Sequence, residues 1–186
     1  AALVVGALDR LEDRKALRLA HPQLRDAVGE ATTTLEAGFE AANAARVPTP
    51  RRWPRLEKLG ILGFDVAVFE ALGSETWHRL RSLHLWSVGV PQVMDAPSAR
   101  ALAAALRRMP ALRELELWRV ELPDAAAAEL FRASSADAVP QLRSLALRAV
   151  DLEAPALRAL AASGWRLEEL DLFYNPKLGA AGLTAL

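Results

Sequence analysis

The stretch Pro110-Ala-Leu-Arg-Glu-Leu-Glu-Leu-Trp-Arg-Val-Glu-Leu122 decides how the rest of the chain is interpreted. Its core is the phrase L-x-x-L-x-L, which runs from Leu112 to Leu117 and alternates leucines with polar residues at its end. Alternation with a period of two is typical of a half-buried β-strand. The pattern therefore predicts a strand whose leucines face a core and whose remaining side chains face outward.

The same phrase recurs in register along the chain. Its copies begin at Leu56, Leu80, Leu112, Leu142 and Leu167, which are 24, 32, 30 and 25 residues apart. Alanine-rich stretches with helical spacing separate or follow the copies, and they predict helices over residues 66–72, 96–109, 123–133, 155–162 and 179–186. A strand and a helix repeating at this period predict an α/β fold with a parallel sheet inside and helices outside.

Side chains between the leucines are expected to line the open, concave face of that sheet. Tryptophan and arginine are among the residues found most often as interface anchors. We therefore predict a partner-binding face made of Trp86, Trp118, Arg148, Phe173, His84, Glu116 and Asp171. The alternative is that the aromatic rings pack on each other, or on Arg148, or are covered by further chain.

Composition and motifs narrow the classes of function. Lysine plus arginine and aspartate plus glutamate number 23 each, and this balance argues against a nucleic-acid or anionic-membrane partner. The chain has no cysteine, which excludes disulfides and thiolate chemistry and fits an intracellular location, cytoplasmic or nuclear. No apolar run is long enough to span a bilayer. No H-E-x-x-H, phosphate-binding glycine loop or G-x-S-x-G motif occurs, and His84 beside Glu116 lacks a third catalytic group, so we expect neither an enzyme nor a cofactor.

The chain divides into three parts on these patterns. Residues 1–36 are predicted to form a small helical segment, residues 37–53 a proline-rich connector, and residues 54–186 about five repeats. The first and last residues show no natural boundary, so we expect the protein to continue, particularly beyond Leu186.

The five phrases resemble the leucine-rich repeat family, over roughly residues 54–186. The last copy is the closest, because Asn175 stands where the family has a ladder of asparagines that bond the turn backbone. Phe64, Val88, Val120 and Val150 stand at that position in the other copies, which predicts turns filled by apolar side chains. The spacing is similar to the helix-bearing ribonuclease-inhibitor and F-box-associated subtypes, and the resemblance implies a solenoid.

The N-terminal stretch Leu8-Asp-Arg-Leu-Glu-Asp-Arg-Lys-Ala-Leu-Arg-Leu-Ala-His-Pro-Gln-Leu-Arg-Asp-Ala-Val28 resembles the second half of an F-box. The usual leading Leu-Pro is absent, and His21-Pro22 stands in place of the expected cysteine region. The resemblance implies docking of a Skp-type adaptor through Leu8, Leu11, Leu17, Leu19 and Leu24. A helical cap that shields the open end of the repeats explains the same residues.

Together these patterns predict a protein–protein interaction module. The resemblance implies the substrate-recognition part of an F-box/leucine-rich repeat protein in a cullin-type ubiquitin ligase. The alternative is a non-catalytic scaffold or a ligand sensor, in which the N-terminal helices only cap the repeats.

Overall fold

A six-stranded parallel sheet dominates the structure. Along the chain its strands are β1 (Thr34–Gly38), β2 (Lys58–Leu62), β3 (Ser82–Trp86), β5 (Glu114–Trp118), β7 (Ser144–Arg148) and β8 (Glu169–Asp171), and they lie side by side in that order. Two short strands, β4 (Gln92–Val93) and β6 (Val120–Glu121), form a second parallel pair. The computed structural model describes residues 32–38, 47–134 and 139–179.

Four helices connect the strands in the described part of the chain. They are α1 (Val66–Gly73), α2 (Ala96–Leu106), α3 (Asp124–Ala133) and α4 (Ala154–Ala162), which confirms four of the five predicted helices. The carboxylates of Asp65 and Asp95 cap α1 and α2 by accepting backbone N–H groups at 2.9 Å. The predicted helix over residues 179–186 lies almost wholly outside the described residues.

The predicted alternation is confirmed in β5. Leu115 and Leu117 are buried, whereas Glu114 and Trp118 are exposed. The buried strand leucines join the buried residues of all four helices in a single core. The helices therefore cover the leucine face of the sheet, and the other face carries the polar and aromatic side chains.

The N-terminal edge strand corrects the sequence prediction. Residues 34–36 were predicted to belong to a helical segment, but they lie in β1, which pairs with β2 in register. The phrase Thr32-Thr-Thr-Leu35-Glu-Ala37 has the spacing of the other copies with its outer leucines replaced. Its β-branched threonines favour a strand, and the buried Thr32 takes the place of the first leucine.

The predicted connector also contributes to the core. Val47 and Trp53, which lie within residues 37–53, are 7% and 5% exposed and belong to the core cluster. Burying these two apolar side chains stabilises the fold in proportion to the apolar area that is removed from water. At least residues 47–53 are thus part of the packed fold and not only a linker.

The turn after each strand is stabilised in two different ways. Asn175 donates to the carbonyls of Leu147 (2.6 Å) and Leu172 (2.9 Å), and its Oδ1 accepts the N–H groups of Val150 (3.2 Å) and Leu152 (3.1 Å). At the corresponding place in two other copies, Val120 and Val150 are fully buried. The apolar filling predicted for these turns, and for Phe64, is confirmed.

The prediction for Val88 is wrong, because Val88 is 72% exposed. The register pairs Gln92, and not Val88, with Val120, so this copy holds four additional residues between its strand and its turn. The Gln92 side chain accepts the Phe64 N–H at 3.1 Å and donates to the Phe64 carbonyl. An amide therefore bonds the turn backbone here, much as Asn175 does at the last copy.

Candidate functional site

A polar network crosses the open face of the sheet. The Arg148 guanidinium lies 2.7 Å from an Asp171 oxygen and 2.8 Å from a Glu116 oxygen. The other Glu116 oxygen lies 3.6 Å from His84 Nδ1. The parallel register explains this arrangement, because it sets these residues on the neighbouring strands β3, β5, β7 and β8. Four of the seven residues predicted for this face thus come together.

Arg148 and Asp171 shift each other's pKa within this network. Its hydrogen bond holds the pKa of Asp171 below the ordinary value, and the N–H of Phe173 (2.8 Å) lowers the pKa further. The same bond, followed by the charge of Glu116, raises the pKa of Arg148. Asp171 is therefore held as an anion by the neighbouring cation, and the carboxyl group of Glu116 lies against the same guanidinium group.

Arg148→Gln is expected to raise the pKa of Asp171 towards its ordinary value, because it removes the charge-assisted hydrogen bond, which is the largest lowering interaction, together with the charge of the guanidinium group. The Phe173 N–H remains, so the pKa stays below that of a free aspartate. Titration of the Asp171 carboxyl carbon by NMR measures both values. In the wild type, the stability that Asp171 contributes is present above the unfolded-state pKa and is lost as the pH falls through the lower folded-state pKa.

The control for this titration is Arg158→Gln, which removes an exposed arginine of α4. This change should leave the Asp171 curve unaltered. An Asp171 pKa that is the same in wild type and Arg148→Gln would contradict the assignment of Arg148 as the main cause.

Trp86 lies across the sheet and not out from it. A methyl group placed on Gly60 of the neighbouring strand β2 would overlap the Trp86 ring, so the indole covers Gly60. Trp86 is half-buried for this reason. The absence of a side chain at Gly60 provides the space, and Trp86 is thereby partly used in packing within its own sheet.

Trp118 differs from the other four tryptophans of the chain. It is 49% exposed, whereas Trp53 and Trp77 are buried, and Trp86 and Trp165 are half-buried. Trp118 lines a depression of about 400 Å³ on the open face with Trp86, Glu116 and Arg148. It also lines a second depression, of about 510 Å³, at the carboxyl ends of the strands.

The second depression is bordered by an aromatic edge that sequence reasoning captured only in part. We use "aromatic edge" for Trp118, Phe173 and Tyr174, of which the last two are 71% and 73% exposed. Tyr174 was not among the predicted site residues, and strict alternation after Phe173 would turn its side chain inward. Its φ of 57° reverses this, and both rings face solvent with centroids 6.3 Å apart.

The same left-handed conformation recurs after other strands. Gly63, Arg119, Ala149 and Tyr174 each directly follow the last outward residue, and their φ values lie between 51° and 72°. Only glycine adopts this region without steric cost. The recurrence at three non-glycine residues shows that the turn, and not the local residue type, determines the backbone here.

The four additional residues after β3 form a loop beside the aromatic edge. Val88 and Val90 in this loop are 72% and 84% exposed. Ser87 Oγ donates to the Val90 carbonyl at 2.8 Å, and Arg119 donates to the Gly89 carbonyl at 2.6 Å. Arg119, the neighbour of Trp118, therefore holds the loop next to the aromatic edge and extends its apolar surface.

Metal ligation and membrane spanning are the two further properties that the described residues allow us to assess. Within residues 32–38, 47–134 and 139–179, no three His, Asp or Glu side chains are grouped so that they could hold a metal ion. In the same described part, no helix is both long and apolar enough to cross a bilayer. The arrangement of aromatic rings around a fixed ionic network is suited to contacts with another molecule.

The remaining predicted site residues lie elsewhere. Leu8, Leu11, Leu17, Leu19 and Leu24, predicted to dock an adaptor, are outside the described residues. Comparison with known proteins adds no assignment, since the chain matches no protein-family model and no curated protein.

Proposed function

We propose that the chain is a leucine-rich repeat solenoid that acts as a protein–protein interaction module. Five copies of one phrase in parallel register support the repeat assignment. The hydrogen bonds of Asn175, which join two consecutive turns, support it further. In this proposal the open face of the sheet is the concave, partner-binding surface.

The half-exposed Trp118 is the observation that carries the binding function. It stands where the two depressions meet, and Phe173 and Tyr174 continue its surface. Exposed apolar patches of this kind mark interaction sites more often than chance, and aromatic anchors supply much of the binding energy at interfaces. A partner that covers Trp118 would also exclude water from the adjacent Glu116–Arg148 ion pair.

The specific role proposed is substrate recognition in a cullin-type ubiquitin ligase. It depends on the resemblance of residues 8–28 to an F-box, through which a Skp-type adaptor would dock. The module itself performs no chemistry in this role, because it acts by raising the effective concentration of the substrate near the ligase.

Adaptor docking is tested with the full chain and a purified Skp-type adaptor. We expect direct binding, and we expect Leu17→Glu together with Leu24→Glu to weaken it at least tenfold, because each change places a charge in an apolar contact. Isothermal titration calorimetry measures the affinity, and circular dichroism checks the fold. Absence of binding by a folded wild-type chain would contradict the ligase role and favour a helical cap.

Partner recognition is tested separately from adaptor docking. Trp118→Ala is expected to reduce the capture of partners from cell extract about thirtyfold, which corresponds to roughly 2 kcal/mol for a central aromatic anchor. Val66→Ala is the matched control, because Val66 is an exposed apolar residue on α1 (37% exposed). Quantitative mass spectrometry measures both ratios. Equal recovery of every partner by Trp118→Ala and wild type would exclude this surface.

A ligand sensor is the second candidate. The depression of about 400 Å³ between Trp86, Trp118 and Arg148 supports it, because rings beside a fixed guanidinium suit a small ligand with an apolar part. A sensor would retain ligand affinity when Phe173, which does not line that depression, is replaced by Ala, whereas a protein partner that covers the aromatic edge would not.

A further inference from the structure

A row of charged residues lies at the end of the sheet opposite the aromatic edge. One residue immediately precedes each of five consecutive strands, and across the sheet these residues are Glu57, Arg81, Arg113, Arg143 and Glu168. Their carbonyls link the strands: that of Arg81 accepts the N–H groups of Arg113 (2.8 Å) and Glu114 (2.9 Å). Neighbouring strands lie about 4.8 Å apart, so three arginines stand side by side between two glutamates.

The two outer arginines have carboxylate partners, whereas the central one has none among the residues that the structure describes. Arg81 Nη1 lies 3.7 Å from Glu57, and Arg143 Nε lies 3.2 Å from Glu168. Within residues 32–38, 47–134 and 139–179, Arg113 makes no ion pair, although it stands between two like charges. This position is electrostatically unfavourable without a further anion.

The surface beside this row has a shape that can receive such an anion. A depression of about 550 Å³ is lined by Arg79, Arg81, Arg113 and His78, with Glu57 at one side. Arg79, like Arg113, has no carboxylate partner in the described part of the chain. Two uncompensated guanidinium groups thus border the same open space.

The local charge is not a consequence of the overall charge. The chain carries 23 basic and 23 acidic residues, so it has no general attraction for anions. The depression is open, with the Arg81 side chain 56% exposed, whereas sites for small molecules bury most of the ligand. The first fact makes the positive charge a local feature of this depression, and the openness favours a polymer that presents charge along its length.

We propose that this depression binds an acidic segment of a polypeptide, whose carboxylates pair with Arg113 and Arg79. The planar guanidinium group binds a carboxylate through two parallel hydrogen bonds. Glu57 lines the same space, and its carboxylate disfavours a single group that carries two negative charges more strongly than it disfavours one carboxylate. The site is distinct from the aromatic edge, since β5 separates the two by five residues, or about 16 Å of extended strand.

The test uses blocked hexaglutamate as the probe and blocked hexaglutamine as its neutral counterpart, at low ionic strength. Hexaglutamate is expected to bind, and hexaglutamine to bind at least tenfold more weakly. Arg113→Gln and Arg79→Gln are each expected to weaken hexaglutamate binding about tenfold, because each removes a charge-assisted pair. NMR chemical shifts measure the affinity and locate the bound probe.

Arg158→Gln is the matched control, since Arg158 is an exposed arginine of α4 that makes no ion pair within the described residues. This variant should keep the wild-type affinity within twofold. Three results would overturn the proposal: no binding of hexaglutamate by wild type, equal binding of the two probes, or equal losses in Arg113→Gln and Arg158→Gln. Circular dichroism of each variant confirms that the fold is retained, as expected for exposed arginines.

Discussion

Replacing Asn175 by Leu is expected to lower the free energy of unfolding by about 3–4 kcal/mol. The Asn175 side chain is 8% exposed and serves two backbone N–H groups and two backbone carbonyls at distances up to 3.2 Å. Leucine has a similar volume but offers neither donor nor acceptor. Each N–H group left buried without a partner costs about 1–3 kcal/mol, and the carbonyls add to that loss.

Two further variants show whether the loss arises from these hydrogen bonds. Gln92→Leu removes one acceptor and one donor from Phe64 alone, so we expect about half the effect. Gln141→Leu replaces an exposed amide that forms no side-chain hydrogen bond within the described residues, and it should change stability by less than about 0.5 kcal/mol. Urea denaturation followed by circular dichroism measures all three. A loss below about 1 kcal/mol for Asn175→Leu would show that water replaces the amide.

The main strands could be predicted from sequence because alternation is a local property. The leucines of each phrase, such as Leu115 and Leu117, face the core, and this depends only on the period of the strand. The first strand was missed because Thr32 and Ala37 replace the leucines of the phrase. Its place could have been found from the step of 24 residues between Thr32 and Leu56, which equals the next step.

The contacts of the candidate site could not be predicted in the same way. The residue types of the open face follow from alternation, but the position of Trp86 depends on the missing side chain of Gly60 in another strand. The outward direction of Tyr174 depends on a positive φ that no glycine signals. The exposure of Val88 depends on an insertion, which becomes apparent only when Gln92 pairs with Val120.

The ion pairs of the charged row likewise could not be predicted from the sequence alone. Arg81, Arg113 and Arg143 share one position of the phrase and could have been aligned from sequence alone. Which of them lacks a carboxylate partner in the described part of the chain depends on how Glu57 and Glu168 turn towards the outer two. Residue type at a repeat position is therefore readable from sequence, whereas the pairing of long charged side chains requires the three-dimensional arrangement.

Leu117→Ala and Trp118→Ala are expected to have opposite consequences although the residues are neighbours. Leu117 is fully buried, so its truncation leaves a cavity and should lower the free energy of unfolding by about 3–4 kcal/mol. Trp118 is 49% exposed, so its truncation should cost about 1 kcal/mol or less of stability while it weakens partner binding about thirtyfold. Thermal unfolding should show a melting temperature about 6–15 °C lower for Leu117→Ala.

Partner binding by the folded fraction of Leu117→Ala should remain within a few-fold of wild type, since Leu117 faces the helices. If Trp118→Ala destabilised the fold as much as Leu117→Ala, its ring would be a structural part of the sheet, and the binding function proposed for it would be wrong.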